Sequence, residues 1–323
     1  MKTYLFILLT AAATTVLCSI AVSMIVDPYR IVHPLIGELA FKPNSRVPKV
    51  TFLSHSCSQF DAYFAGDSRS EILSESNLRD VRGRRFYNLA TPADDIASIV
   101  RRVRFLIGRG CSISAVVIGE SIDLLLDESS RSERGLLLSE SPDLSGENRI
   151  AFYSKYFLSA QALIGYVRFV YQYPSRHEIY YPDGHADYLW EMRDGMPFEL
   201  ERCRGPTRLG GAERELLLAK LSGYREIASM SAQYHFKVIV WIVPLNKWES
   251  DLFDDPAARD YLQQLRAVQS LNIVEADRSS PLLSDFHSWH DCRHFHRMVF
   301  DQLVAPSVSV FLGHSTEKSA SNP

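Results

Sequence analysis

Two short stretches carry residues that could do chemistry together. The first is "DAYFAGDSRSEIL", residues 61–73, in which an apolar run climbs to Gly66 and stops at Asp67, Ser68 and Arg69. The second is "FHSWHDCRHFHRMVF", residues 286–300, with Asp291 and His294 three apart. A serine hydroxyl is a weak nucleophile near neutral pH. It needs a base within hydrogen-bond reach, and the base needs an orienting group. Asp291 and His294 read as lying at a helix start, where i and i+3 side chains share a face. Asp291 would then accept from one imidazole nitrogen and leave the other for Ser68. The competing reading of Ser68 is an ordinary cap on a strand-to-helix turn. Ser68 favours the nucleophile reading only in company with the downstream pair.

These residues need a frame that brings both stretches to one place. Strands are expected at 61–66, 84–90, 114–120, 236–245 and 272–277, each short and apolar. Between them lie helical patterns. Thr91-Pro92 is a helix start signal, with Asp94 and Asp95 in the first turn, and Ile96, Val100, Val103 and Ile107 keep helical spacing. Further helices are expected from Ser70 to about Leu78, at about 212–232 and 256–269, and from near His294. Arg101, Arg102, Arg104 and Arg109 read as a solvated helix face. Strands alternating with helices imply an α/β fold with a mostly parallel five-stranded sheet, a flavodoxin-like three-layer sandwich. In such sheets ligands bind beyond the carboxyl ends of the strands. The residues at those ends are Asp67-Ser68, Asn88, Glu120-Ser121 and Asn246-Lys247.

Residues 4–26 contain no charge and follow Lys2. That is long enough to cross a bilayer core of roughly 30 Å. A signal anchor at 1–26 is the first reading, and a cleaved signal with Ala21-Val22-Ser23 at the cut the second. Residues 27–60 read as a proline-rich connector. The domain would run over 61–312 with an insertion at about 121–209, and 313–323 would be a polar tail. The net charge of −3 argues against a nucleic-acid footprint. Cys18 lies in the anchor. Cys57, Cys111, Cys203 and Cys292 have no zinc spacing, and their pairing is open between bridges and separate thiols.

At these residues the chain resembles the SGNH (GDSL-type) hydrolases. "GDSRS" is similar to their first block and "DCRH" to their fifth, Asp-x-x-His. The anchor, "YNLATPADD" and the ending "D-x-x-H-F" are similar to the membrane-anchored branch that includes alginate O-acetyltransferase-like and D-alanyl lipoteichoic acid transfer proteins. The resemblance covers about 61–120 and 212–312. It implies Ser68 as nucleophile, His294 as base and Asp291 as its orienter. The backbone N–H of Ser68 and the side chain of Asn88 would donate to an oxyanion. Two positions depart from the pattern: Arg69 replaces a leucine, and "GESID", residues 119–123, lacks the usual asparagine.

The implied activity is an extracytoplasmic esterase or O-acyltransferase that moves acyl, chiefly acetyl, groups of a surface polysaccharide through an acyl-serine. Its partners would be that glycan and a membrane protein supplying acyl groups; no cofactor is needed. The alternative is a catalytically inactive SGNH-like module that binds a glycan. A third reading takes His287, His290, Asp291, His294 and His296 as a metal cluster, since 290 and 294 have a spacing zinc sites use on helices. No carboxylate-rich partner motif accompanies it, so no metal is assigned. Trp289 reads as a packing residue. Phe152, Tyr153, Tyr156 and Phe157 recur at helical spacing and read as core. Tyr180, Tyr181, Asp183, His185, Tyr188 and Trp190 fit either a packed lid or a surface for sugar rings.

Overall fold

The computed structural model describes residues 2–27, 29–33, 35–39, 44–78, 83–123, 135–136, 138–158, 178–188, 203, 209 and 211–313. Along the chain lie α1 (Lys2–Val26), β1 (Gly37–Leu39), α2 (Arg46–Ser56), β2 (Ala62–Ala65), α3 (Ser68–Glu71), β3 (Phe86–Asn88), α4 (Ile96–Gly108), β4 (Ala115–Glu120), α5 (Pro142–Ser145), α6 (Arg149–Leu158), β5 (Glu178–Tyr180), β6 (Ala186–Tyr188), α7 (Gly211–Tyr234), β7 (Lys237–Ile242), α8 (Pro256–Arg266), β8 (Leu271–Glu275), α9 (Arg297–Leu303) and α10 (Ala305–Gly313). Trp190 and the tail from 314 onward lie outside the described residues, as does most of the expected insertion.

The main sheet is parallel throughout, in the order β3-β2-β4-β7-β8. The alternation of side chains along each strand explains the two cores. Val116 and Ile118 of β4, with Val238, Val240 and Ile242 of β7, face α4, α7 and α8. Ala115 and Val117, with Ile239, Trp241 and Val243, face α9 and α10. Both faces are covered, so the strands read as continuous apolar runs. Trp241 is fully buried and meets Phe295 and Phe300 edge-on at 6.2 and 5.1 Å. Trp289 is buried beside them. The expected α/β sandwich is therefore what the chain forms. Numbered within this sheet alone, the strand order is 2-1-3-4-5, and the topological switch lies between β2 and β4.

A second sheet, β1-β5-β6, is antiparallel. It had no counterpart in the expected pattern, because its strands are three residues each, too short for alternation to show. The β5–β6 turn docks on the main sheet: Asn88 N donates to Asp183 O at 2.7 Å. Gly184, at φ +82°, lies so close that a Cβ would sit 2.5 Å from Asn88 O. The expected connector also carries α2, whose Val47, Val50 and Leu53 are buried.

Three helix limits differ from expectation. α4 starts at Ile96, not at Thr91-Pro92, because Asp95 caps it by accepting from Ser98 N at 2.7 Å. The segment after Ser70 is only one helical turn, α3, followed by a short 3-10 turn at Glu75–Asn77. The last helices begin at Arg297, past His294. The apolar α1 is long enough to cross a membrane; it runs beside α6, and its side chains stay largely exposed.

Candidate functional site

Ser68 stands at the switch point. Gly66, which ends the β2 run, holds φ +132°, and a Cβ there would lie 2.5 Å from Ser70 Oγ and 3.0 Å from Gly119 O. A side chain is excluded on both counts. Asp67 caps the turn, its Oδ1 accepting from Arg69 N at 2.9 Å. The capping duty therefore falls on Asp67, and the hydroxyl of Ser68 turns elsewhere. Ser68 Oγ lies 2.8 Å from His294 Nε2, although the two are 226 residues apart. His294 Nδ1 lies 2.8 Å from Asp291 Oδ2. With the Nδ1 proton directed at Asp291, Nε2 accepts from the Ser68 hydroxyl.

The Asp291–His294 pair is not built by a helix start, as the spacing suggested. It is built by a turn in which Arg293 N and His294 N donate to Asp291 Oδ1 at 2.7 and 2.8 Å. His290 N donates back to His294 O at 2.7 Å, and Trp289 and Phe295 form a single bridge. Burial pushes the Asp291 carboxyl up. The hydrogen bond and charge of His294, with the two N–H donors, outweigh it and hold it at about 2.

Asn88 does not serve the site in the expected way. Its Nδ2 donates to the carbonyls of Ser70 (2.7 Å), Glu71 (3.1 Å) and Leu73 (2.7 Å), and its Oδ1 accepts from Ala90 N at 2.8 Å. The side chain is buried and staples the turn that carries Ser68. An amide committed to three carbonyls has no proton to aim at an oxyanion. Of the two expected donors, the Ser68 backbone N–H is the one beside the Ser68–His294 contact.

The two departures from the hydrolase pattern meet each other. Arg69 reaches Asp123, with Nη1 3.0 Å from Oδ2 and Nη2 2.8 Å from Oδ1. It also donates to Asp67 Oδ2 from Nε and Nη2 at 3.1 and 2.9 Å, and Ser121 Oγ donates to the same oxygen at 2.5 Å. All four residues are buried. Burial opposes the charge on Arg69, but Asp123 and Asp67 outweigh it, so its pKa rises further. Burial likewise opposes the Asp67 carboxylate, and Arg69 and Ser121 reverse that. Beside this network, burial and the charge of Asp123 lift Glu249 to about 7 against Arg293 and Arg69.

A second buried network lies behind the β3 end. Arg102, expected on a solvated face, is buried. It donates to Asp94 at 2.5 Å, Leu89 O at 3.1 Å and Glu140 at 3.2 Å. Arg46 lies 3.6 Å from Asp94, and Lys49 lies 3.3 Å from Glu71. Nothing in their spacing distinguishes these cations from surface ones. Of the aromatic candidates, Tyr180 and His185 are packed inside, while half-buried Tyr181 lies flat on His185 with centroids 4.1 Å apart. His290 and His296 touch at 3.6 Å between centroids. Among the described residues no three metal-ligating side chains converge. Phe152 and Tyr156 are core, as their spacing implied.

No family profile and no curated protein matches the chain. Among solved structures it is similar to one provisionally described as a platelet activating factor from Streptococcus pneumonia, at 10% identity and a TM-score of 0.40, covering 82% of this chain and 89% of that one. A likeness that distant bears on neither activity nor substrate. The cysteines pair as Cys57–Cys111 and Cys203–Cys292, which spacing had left open, and Cys18 stands alone on exposed α1.

Proposed function

We propose that this chain is an SGNH-like serine esterase or O-acyltransferase, held by α1 in a membrane, with its domain on the extracytoplasmic side. The observation that carries the reading is the Ser68–His294–Asp291 relay at the switch point, with both contacts at 2.8 Å. The two disulfides favour an oxidising compartment. In the first half-reaction the Ser68 hydroxyl gives its proton to His294 Nε2, and Oγ bonds to the acyl carbonyl carbon. The tetrahedral intermediate collapses, the ester C–O bond breaks, and the leaving alcohol takes the proton from His294. In the second half a sugar hydroxyl or water attacks the acyl-serine, passing its proton to His294, and Ser68 leaves with that proton restored. Asp291 stays ionised and stabilises the imidazolium. The Ser68 N–H donates to the oxyanion, a contact whose loss costs about 2.7–4 kcal/mol of barrier in other enzymes. A surface polysaccharide is the proposed acyl carrier, and the exposed face of Tyr181 near the β3 end is a surface on which a sugar ring can stack.

The commitment of Asn88 to backbone carbonyls favours a second reading, a silent module that binds acylated glycan without turnover. The full chain in detergent micelles, treated with an aryl-fluorophosphonate, separates the two. The enzyme reading expects labelling that Ser68→Ala abolishes and His294→Ala slows by roughly 10³-fold or more. Saccharide binding by a wild-type chain that takes no label leaves only the module.

A further inference from the structure

The loop that carries the proposed base has little regular structure of its own. Between β8 and α9 the chain runs through short 3-10 turns and the single Trp289–Phe295 bridge. Loops of that kind move unless tied down. Cys292 sits inside the relay sequence, one residue after Asp291 and two before His294. Its sulfur is bonded to Cys203, 89 residues away in the insertion and itself buried. Its carbonyl accepts from Asn246 Nδ2 at 2.8 Å. Asn246 is fully buried at the end of the β7 run, and its Oδ1 accepts from Trp248 N and Glu249 N at 2.9 and 3.1 Å. One covalent and one polar tether thus converge on Cys292, one of the two residues between Asp291 and His294. The other bridge stands in contrast. Cys57 and Cys111 precede β2 and β4, at the opposite end of the sheet from Ser68.

We propose that Cys203 and Cys292 are positioning residues: their disulfide holds the His294 loop where the imidazole meets Ser68, and acyl transfer depends on that bridge being closed. The inference rests on the acyl-serine reading of the same site. Reduction by a dithiol, which supplies two electrons and two protons and leaves as its own disulfide, opens the bridge to two thiols. The loop then keeps the Asn246 contact and the burial of Trp289 and Phe295, but loses its covalent tie beside His294. A displacement of the base by about 1 Å can cost roughly 10²-fold in rate. Cys292 is partly exposed, so a reductant can reach the bridge from the loop side.

The test uses the full chain in detergent, with fluorophosphonate labelling rate, kcat and KM on a chromogenic acetyl ester, and far-UV circular dichroism. Cys203→Ser/Cys292→Ser is expected to keep its dichroism, lose about 10- to 100-fold in labelling rate and kcat, and hold KM within about twofold. Cys57→Ser/Cys111→Ser is expected to label within about threefold of wild type. Equal labelling of wild type and the folded Cys203→Ser/Cys292→Ser variant overturns the positioning role and leaves the enzyme reading intact. A wild-type chain that takes no label overturns the enzyme reading, and the inference with it. Should Cys203→Ser/Cys292→Ser not fold, the Cys57→Ser/Cys111→Ser chain is reduced with dithiothreitol instead. Loss of labelling at constant dichroism, restored on reoxidation, supports the proposal. Loss of both together overturns it, because the bridge is then an element of stability alone.

Discussion

Replacing Asn88 with alanine distinguishes a staple from an oxyanion donor. In the folded chain its amide serves three carbonyls and one N–H, all in a buried setting. Leaving a buried polar group without its partner costs about 1–3 kcal/mol. The costs do not add in full here, since Ser70 O also accepts from Leu73 N at 3.2 Å. A total of about 3–5 kcal/mol follows, and a shift of roughly 10 °C in Tm for a domain of this size. Asn88→Asp is expected to be at least as destabilising at pH 7, because a carboxylate would face three carbonyl oxygens. That loss should shrink on acidification, when the protonated group regains one donor. The assay is thermal unfolding followed by circular dichroism, with fluorophosphonate labelling measured well below the transition. A Tm within about 2 °C of wild type, with labelling down by the roughly 10²–10³-fold typical of a lost oxyanion donor, would refute the staple.

Arg69→Met leaves Asp67 and Asp123 buried without their shared cation, and urea unfolding should record a loss of about 3–5 kcal/mol; a cost under about 1 kcal/mol would mean the network contributes little. Glu249 gives a pH-dependent prediction. Its folded pKa of about 7 lies above the ordinary 4.5, so between these values the folded chain holds a proton that the unfolded chain has released. Stability from this group is present below pH 4.5 and lost as pH rises to 7. Glu249→Gln should match wild type at pH 4 and exceed it at pH 8 by about 1 kcal/mol, after discounting for solvent screening. Matching unfolding curves at both pH values would contradict that sign.

The local periods of the chain determined much. Five apolar runs separated by helical patterns dictate a parallel sheet, because each run buries both faces. Strand ends followed by Gly66, Asp67 and Ser68, and by Asn88, mark the rim where a site can form. The type and order of residues at Ser68, Asp291 and His294 were enough to mark them as one candidate group. Tertiary structure alone decided the rest. Whether Asn88 faces a substrate or three carbonyls depends on where the α3 turn passes, and no spacing records that. Arg102 reads as solvated because its charge is visible in the chain while its partners, Asp94 and Glu140, are brought to it by packing. The pairing of Arg69 with Asp123, and of Cys292 with Cys203, joins residues far apart in sequence. Periodicity is a property of neighbours along the chain, whereas a buried charge or a disulfide is satisfied by whatever the fold carries to it through space.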